Sequence, residues 1–375
     1  MHCPVRHKTS GGHTISSSSS ERLKRLRDTI QRRRLNALIV SNIKNVQYLS
    51  GFSGSEGMLL VTGERAMMVT DSRYFEQVKE ECAGIELIEQ KRGPVKTIAN
   101  LAKGLKPRAL GFEANALTYS QYSELKGALG RVKLVATKGM VERLREIKDD
   151  EEIKKIKKTL RIAEAAFKSL RKRMRPGMTE KQLADALEME MKREGAAGPS
   201  FRTIVAAGER AALPHAPLTD RRIGRNDMVL VDWGASWQAY NSDLTRVLFI
   251  NRIDAKAREI YKIVLDAQKR AIGKIKGGVS IKEVDAAARA YIEKKGYGRN
   301  FGHGLGHGIG LEVHEGPKLN RTSRRLLKEG MVVTVEPGIY VPEWGGVRIE
   351  DMVLVKKDGC EMLSHISKDL GEALI

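Results

Sequence analysis

Between Phe301 and Glu315 the chain reads FGHGLGHGIGLEVHE, with a glycine at every second position from Gly302 to Gly310. Such backbone can hold neither a helix nor an ordinary strand, because glycine loses the most freedom on ordering and brings no side chain to pack. Yet His303, His307 and His314, three of only eight histidines, are threaded through it. Lacking Cβ atoms, these glycines let the backbone bend into unusual conformations and let a ligand approach closely.

Acidic residues recur in equally unexpected places. MVLVDWGASWQAYNSDLTRVLF, residues 228–249, reads as two strands joined by a connection, with Asp232 ending the first and Asp243 within the second. Their Val, Leu and Phe favour a pleated, half-buried surface. A carboxylate buried there without a cation or donors is costly, and a hairpin brings two of them onto one spot. EGMVVTVEPGIY is a strand ending in Glu336-Pro337-Gly338, and GGVRIEDMVLV is another. In the latter, period two places Arg348, Glu350, Met352 and Leu354 on one face and Val347, Ile349 and Val353 on the other.

Four carboxylates with one or more histidines suit a pair of divalent metals, held roughly 3.5–4 Å apart and sharing a water or hydroxide as nucleophile. A single tetrahedral zinc needs far fewer acids. A phosphate cradle does not fit, since there is no GxxxxGK[ST] and no GxGxxG opening a helix after a strand.

Around this chemistry the chain divides in three. Residues 1–20 carry basic residues and histidines but no apolar core, and read as a disordered, solvated leader rather than a secretory signal. Residues 21–140 alternate helix and strand: Leu23, Leu26 and Ile30 form a helical face, while ALIVS, MLLVT and AMMVT are short buried strands. From about 141 to 375 a second domain opens on a long helix whose apolar stripe runs Ile153, Ile156, Leu160, Ala163, Phe167, Leu170 and Met174. Within it PGMTEKQLADAL and GGVSIKEVDAAA each follow a helix and open the next with a capping box, Thr179 to Gln182 and Ser280 to Glu283. The expectation is an internally duplicated α+β domain with its ligand between the halves.

The longest apolar runs, such as Met228 to Val231, are far too short to span a bilayer. Cys3, Cys82 and Cys360 are odd in number and widely separated, which argues for a reducing compartment, the cytoplasm. The net charge of +21 raises the question of nucleic acid. The excess is spread over many helices, however, and aromatics are only 5%, without the aromatic-basic interleaving that stacks bases. A solvated basic surface, able to draw anionic ligands, is expected instead.

On these segments the sequence resembles the pita-bread metallopeptidases, specifically the aminopeptidase P and prolidase (Xaa-Pro peptidase) branch, over essentially the whole chain after the leader. NVQYLSGFSGSEGMLLVT and TDSRYFEQ resemble its creatinase-like α/β amino-terminal domain. SFRTIVAAGERAALPHAP, VDWGASWQAYNSDLTR, GHGLGHGIGLEVHE, VEPGIY and GVRIEDMVLV resemble the five segments that build the site of its pita-bread catalytic domain. The resemblance implies hydrolysis of the bond between an amino-terminal residue and proline by a hydroxide bridging two metals. It makes Asp232, Asp243, His307, Glu336 and Glu350 the metal ligands, with Asp243 and Glu350 bridging, Asp232 completing one shell, and His307 and Glu336 the other.

The resemblance further implies that Glu336 takes the proton of the attacking water. His314 would stabilise the tetrahedral intermediate, and His215 would contact the substrate at the same catalytic centre. His303 would line the pocket for the residue after the cut, and Arg348 would steady the metal-binding glutamate. Two divalent ions, manganese or cobalt ahead of zinc or iron, a proline-containing peptide and a homodimer complete the implied set.

Two rival readings are a methionine aminopeptidase-like enzyme and a non-catalytic protein- or nucleic-acid-binding module of the same architecture. The first generally lacks a creatinase-like front domain and separates its last two glutamates more widely; the second has lost ligands that are all filled here. One departure concerns dipeptides. Lys318 stands where many prolidases carry an arginine thought to help hold the substrate, and lysine lacks the same bidentate grip on a carboxylate, with Arg321 nearby as a substitute.

Overall fold

The computed structural model describes residues 17–375. Residues 1–16 of the expected leader lie outside the described residues. Its last four are a correction: α1 (Ser17–Arg32) begins at Ser17, because the stripe of Leu23, Leu26 and Ile30, all buried, carries helical order back through the serines.

The chain forms two compact units, the first ending at Leu144 and the second running from Arg145 to Ile375. In the first, α1 precedes β1 (Ala37–Val40), α2 (Ile43–Ser50), β2 (Met58–Thr62), β3 (Ala66–Thr70), α3 (Phe75–Glu81), β4 (Glu86–Glu89), α4 (Pro94–Leu105), β5 (Ala109–Glu113), α5 (Tyr119–Leu129) and β6 (Lys133–Thr137). The strands form one sheet in the order β4-β3-β2-β1-β5-β6. Pairing is parallel at β1–β5, β5–β6 and β3–β4 and antiparallel around β2. A short α6 (Glu142–Arg145) follows.

The second unit is built from two helix pairs and the antiparallel strands after each. The long helix expected on the stripe from Ile153 to Met174 is α7 (Asp150–Arg173), capped by Asp149, whose carboxylate accepts from the Glu152 amide in a capping box. Then come α8 (Glu180–Arg193), β7 (Gly198–Pro199), β8 (Ile204–Ala207), β9 (Met228–Trp233), β10 (Ala235–Trp237), β11 (Tyr240–Asn241) and β12 (Leu244–Phe249). The second pair is α9 (Ala255–Ile272) and α10 (Ile281–Lys294). It is followed by β13 (Gly306–Gly308), β14 (Glu315–Leu319), β15 (Val332–Val335), β16 (Gly338–Val341), β17 (Gly345–Arg348), β18 (Asp351–Val355) and β19 (Cys360–Met362).

The two halves match in detail. α8 is preceded by a bridge between Thr179 and Arg222 and a bond from the Gly177 amide to the Ile223 carbonyl. α10 is preceded by a bridge between Ser280 and Leu326 and a bond from the Gly278 amide to Leu327. Strands β8, β9 and β12 form a three-stranded antiparallel sheet, and β13, β15 and β18 are the central three of a five-stranded one, flanked by β14 and β19. The Thr179–Gln182 capping box forms as expected, whereas Ser280 makes no side-chain cap bond to its helix.

GGVRIEDMVLV departs from the single strand read in the sequence. β17 hairpins with β16 while β18 ladders with β15, so the chain changes sheets at Ile349-Glu350. Alternation is locally blind to that change, since both strands are buried throughout. The glycine-rich stretch also differs from expectation, because Gly306–Gly308 is a short strand with a register shift between His307 and Gly308. None of the five alternating glycines has a positive φ. What requires the two that flank His307 is close approach: a Cβ on Gly306 would lie 2.1 Å from the Thr334 carbonyl oxygen, and one on Gly308 would lie 2.0 Å from that of Gly316. His307 is thus wedged between strands that touch backbone to backbone.

Candidate metal centre

Each carboxylate candidate sits at or next to the end of a strand whose ladder fixes it, and His307 sits within one. Asp232 is next to last in β9, which is held from behind by Trp233: its ring stacks on Phe167 of α7 at 4.2 Å and its Nε1 donates to the Ala163 carbonyl at 3.0 Å. Asp243 and Glu350 occupy matching places, immediately before β12 and β18. Glu336 follows β15 directly, and its amide donates to Leu305 at 2.8 Å. His307 is central in β13, with its amide bonded to Thr334 Oγ1 at 3.1 Å.

These five side chains meet in one cleft of about 640 Å³. Ligand atoms of Asp232, Asp243 and Glu350 lie within 4.8 Å of one another, as do those of His307, Glu336 and Glu350, and those of Asp243, His307 and His314. Asp243, His307 and Glu350 each belong to two of these three groups, so the groups overlap into one cluster. His307 Nε2 is 3.6 Å from Asp243 and 3.5 Å from Glu336. Its Nδ1 faces the Gly308 carbonyl at 3.1 Å, an acceptor that keeps the proton on Nδ1 and leaves the Nε2 lone pair aimed at the carboxylates.

The electrostatics are those of a site built for cations. Burial, then the neighbouring Glu350 and Asp232, hold the Asp243 carboxyl well above its ordinary range. Burial and Glu350 do the same to Glu336. Burial and Asp232 push Glu350 up to about 8. Among the described residues Asp232 Oδ1 and Glu350 Oε1 are buried without a hydrogen-bond partner. Orphaned acceptors among crowded carboxylates fit divalent ions, which supply the missing positive charge and take the free lone pairs.

Arg348 donates to Asp232 Oδ2 at 2.6 Å, to Thr245 Oγ1 at 3.0 Å and to the Tyr340 hydroxyl at 2.8 Å. It thus steadies Asp232 directly and reaches Glu350 through Thr245, whose hydroxyl donates to Glu350 Oε2 at 2.8 Å. His303 Nε2 contacts the Tyr340 hydroxyl at 3.0 Å. Burial, helped by Arg348, lowers His303 to about 4, and burial, helped by His314, does the same to His307. His215 and His314 are exposed on the cleft wall. Lys318 also lines it; Arg321 is not among the described lining residues.

Thr245, Thr334 and Tyr340 are contributors that the sequence reading passed over. Period two was the available signal, because Thr245 falls two residues after Asp243, and Thr334 two before Glu336.

A pH dependence follows. Between about 4 and 6.5 the unfolded chain binds protons that His303 and His307 refuse in the fold, so their contribution raises stability with pH. Glu350 acts oppositely: the folded chain keeps its proton up to about 8 while the unfolded chain releases it near 4.5, so stability falls as pH rises. From 6.5 to 8 only the carboxyl contribution remains. The urea midpoint of chelator-treated protein is expected to fall over that interval, and saturating manganese to remove the fall; a flat or rising midpoint without metal contradicts this assignment.

Mixed helix and sheet, a creatinase-like front and carboxylates with histidine around a deep cleft define a metallopeptidase. The chain belongs to metallopeptidase family M24, whose model matches residues 154–357, and the Creatinase/Prolidase N-terminal domain matches residues 22–147. A Xaa-Pro dipeptidase from Bacillus anthracis shares 41% identity and a TM-score of 0.91, covering 94% of this chain and 99% of its own. An X-Pro aminopeptidase from Thermotoga maritima shares 40% identity and a TM-score of 0.84, with 91% and 99% covered. The curated Xaa-Pro dipeptidase of Pyrococcus horikoshii is 38% identical over 352 residues, 94% of this chain and 99% of the relative. No helix among the described residues is long and apolar enough to cross a membrane.

Proposed function

We propose that this chain hydrolyses the peptide bond between an amino-terminal residue and proline. The observation carrying this reading is the set of three overlapping ligand groups, joined through Asp243, His307 and Glu350, in a single cleft. Asp232, Asp243 and Glu350 would hold one divalent ion, and His307, Glu336, Asp243 and Glu350 a second. Two such ions supply a nucleophilic water at neutral pH and polarise the scissile carbonyl. A carboxylate-rich set with one imidazole favours manganese or cobalt, with zinc and iron as alternatives that the donors also accept.

The remaining steps belong to the protein's own groups. Glu336, beside His307 and at the cleft floor, accepts the proton released as water attacks and returns it to the leaving nitrogen. His314, on the open wall, donates to the oxygen that gains charge at the carbonyl. His215 lies on the same wall and contacts the substrate. His303 is held against Tyr340 and lines the place of the residue after the cut. An Xaa-Pro bond is a tertiary amide with no N–H and a fixed φ, so its pocket must recognise ring shape rather than a donor.

The relatives called Xaa-Pro dipeptidase and X-Pro aminopeptidase support this specificity. The test is to offer metal-loaded protein an Xaa-Pro dipeptide, an Xaa-Pro-Yaa tripeptide and the corresponding Xaa-Ala peptides. Loss of at least one proline peptide, with the alanine peptides intact, is expected, and the surviving length class sets the choice between dipeptidase and aminopeptidase. Persistence of both proline peptides, or equal cleavage of the alanine ones, sinks the proposal.

A further inference from the structure

α9 carries a buried apolar stripe of Ile260, Ile263, Val264, Ala267 and Ala271, and in its midst stands Gln268, fully buried. A buried amide is costly unless its donors and acceptor are engaged. Gln268 Nε2 lies 3.0 Å from the Val335 carbonyl oxygen, 3.1 Å from that of Ile349 and 3.0 Å from Asp351 Oδ2, while its Oε1 accepts from Lys368 Nζ at 3.1 Å. Val335 and Ile349 are the residues immediately before Glu336 and Glu350. They stand where the ladder between β15 and β18 ends, at the pairing of Val335 with Asp351, and the two glutamates continue beyond it into the cleft.

The same network reaches the other side of Glu350. Asp351 accepts from Arg246 Nη2 at 2.7 Å, from Ser364 Oγ at 2.7 Å and from Lys368 Nζ at 2.5 Å. Arg246 Nη1 then donates to the carbonyls of Glu350 at 2.6 Å and Thr245 at 2.9 Å. Glu350 is therefore gripped through the carbonyl before it by Gln268 and through its own carbonyl by Arg246. Glu336 is gripped through the carbonyl before it by the same Gln268.

We propose that Gln268 is a positioning residue that sets the separation of the Glu336 and Glu350 carboxylates before any ion arrives. Its single amide ties together two backbone points that no strand pairing joins. Because the carboxylates repel when ionised, a fixed spacing decides how tightly a cation pair is taken up. The inference rests on the metal-centre reading above.

The test is calorimetric titration of chelator-treated full-length protein with manganese alone. Gln268→Met keeps length and bulk but removes the donors, and manganese affinity is expected to drop about 10- to 100-fold, the range for groups that orient metal ligands from behind. Val264→Ala, one turn earlier on the same buried face, serves as the stability-matched comparison; its melting temperature falls while its manganese affinity stays that of the parent. Should Gln268→Met not fold, Lys368→Met, at a half-buried position, removes the donor to the Gln268 oxygen and to Asp351 and is expected to weaken manganese in the same direction. Parental affinity in the folded Gln268→Met protein, or equal weakening in Val264→Ala, overturns the inference. Parental protein that takes up no manganese overturns the metal centre itself and this inference with it, whereas tight uptake by the parent and loss in Glu350→Gln keep the two questions apart.

Discussion

Glu350→Gln is expected to leave a folded protein that neither holds two divalent ions nor hydrolyses peptides. The substitution is nearly isosteric, and Thr245 can still donate to the amide oxygen as it does to Glu350 Oε2. What disappears is the charge and the second acceptor. Glu350 Oε1, buried without a partner, is replaced by an amide nitrogen whose hydrogens point where a cation belongs. Because Glu350 belongs to two of the three ligand groups, both proposed ions would lose a donor at once. If metal assistance is worth several kcal/mol, kcat/KM falls by at least about 10³-fold at 1.36 kcal/mol per tenfold. Metal content by elemental analysis should drop in parallel. The metal-free variant should also show a smaller decline in stability between pH 6.5 and 8, since one of the raised carboxyls, the one pushed up to about 8, is gone. Full activity with metal still bound would contradict the bridging role.

The ligand candidates were legible for a physical reason. A carboxylate among Val, Leu and Phe in a strand is costly unless something answers it, so Asp232, Asp243 and Glu350 stand out in a sequence even before their partners are known. Convergence was not legible, because it depends on which strands pair across long separations. The change of sheets at Ile349-Glu350 illustrates this: β17 and β18 are continuous in pattern but belong to different ladders, and that kink delivers Glu350 to Thr245. The glycines around His307 misled in the opposite direction. They suggested irregular backbone, whereas their role is to admit neighbouring strands within a Cβ's radius. Ser280 has the letters of a cap without the bond, since backbone pairing with Leu326 sets that helix start. Gln268 gave no signal at all: one polar residue in an amphipathic helix reads as a face boundary, and only the fold shows it at the centre of the core.

His314→Ala is expected to separate chemistry from metal binding. His314 lies on the exposed wall of the cleft, with its ring centroid 4.2 Å from that of His307 and an interplanar angle of 52°. Burial holds its pKa below the ordinary value, so near neutral pH the ring is uncharged and offers one N–H donor. A neutral donor suits the task proposed for it, because it strengthens as charge builds on the carbonyl oxygen yet does not repel cations next door. Removing one such donor lowers kcat by about 10² to 10³. KM should change far less, since the bond is made chiefly in the transition state. His314→Gln, which restores an N–H near the same place, should recover part of the loss. The geometry also allows a different result, because His314 shares a ligand group with Asp243 and His307. If the alanine variant loses stoichiometric manganese, His314 is a metal ligand rather than an oxyanion donor. Intact metal with unchanged turnover removes it from the reaction altogether, while intact metal with turnover reduced a hundredfold or more leaves carbonyl polarisation by its imidazole as the explanation the cleft supports.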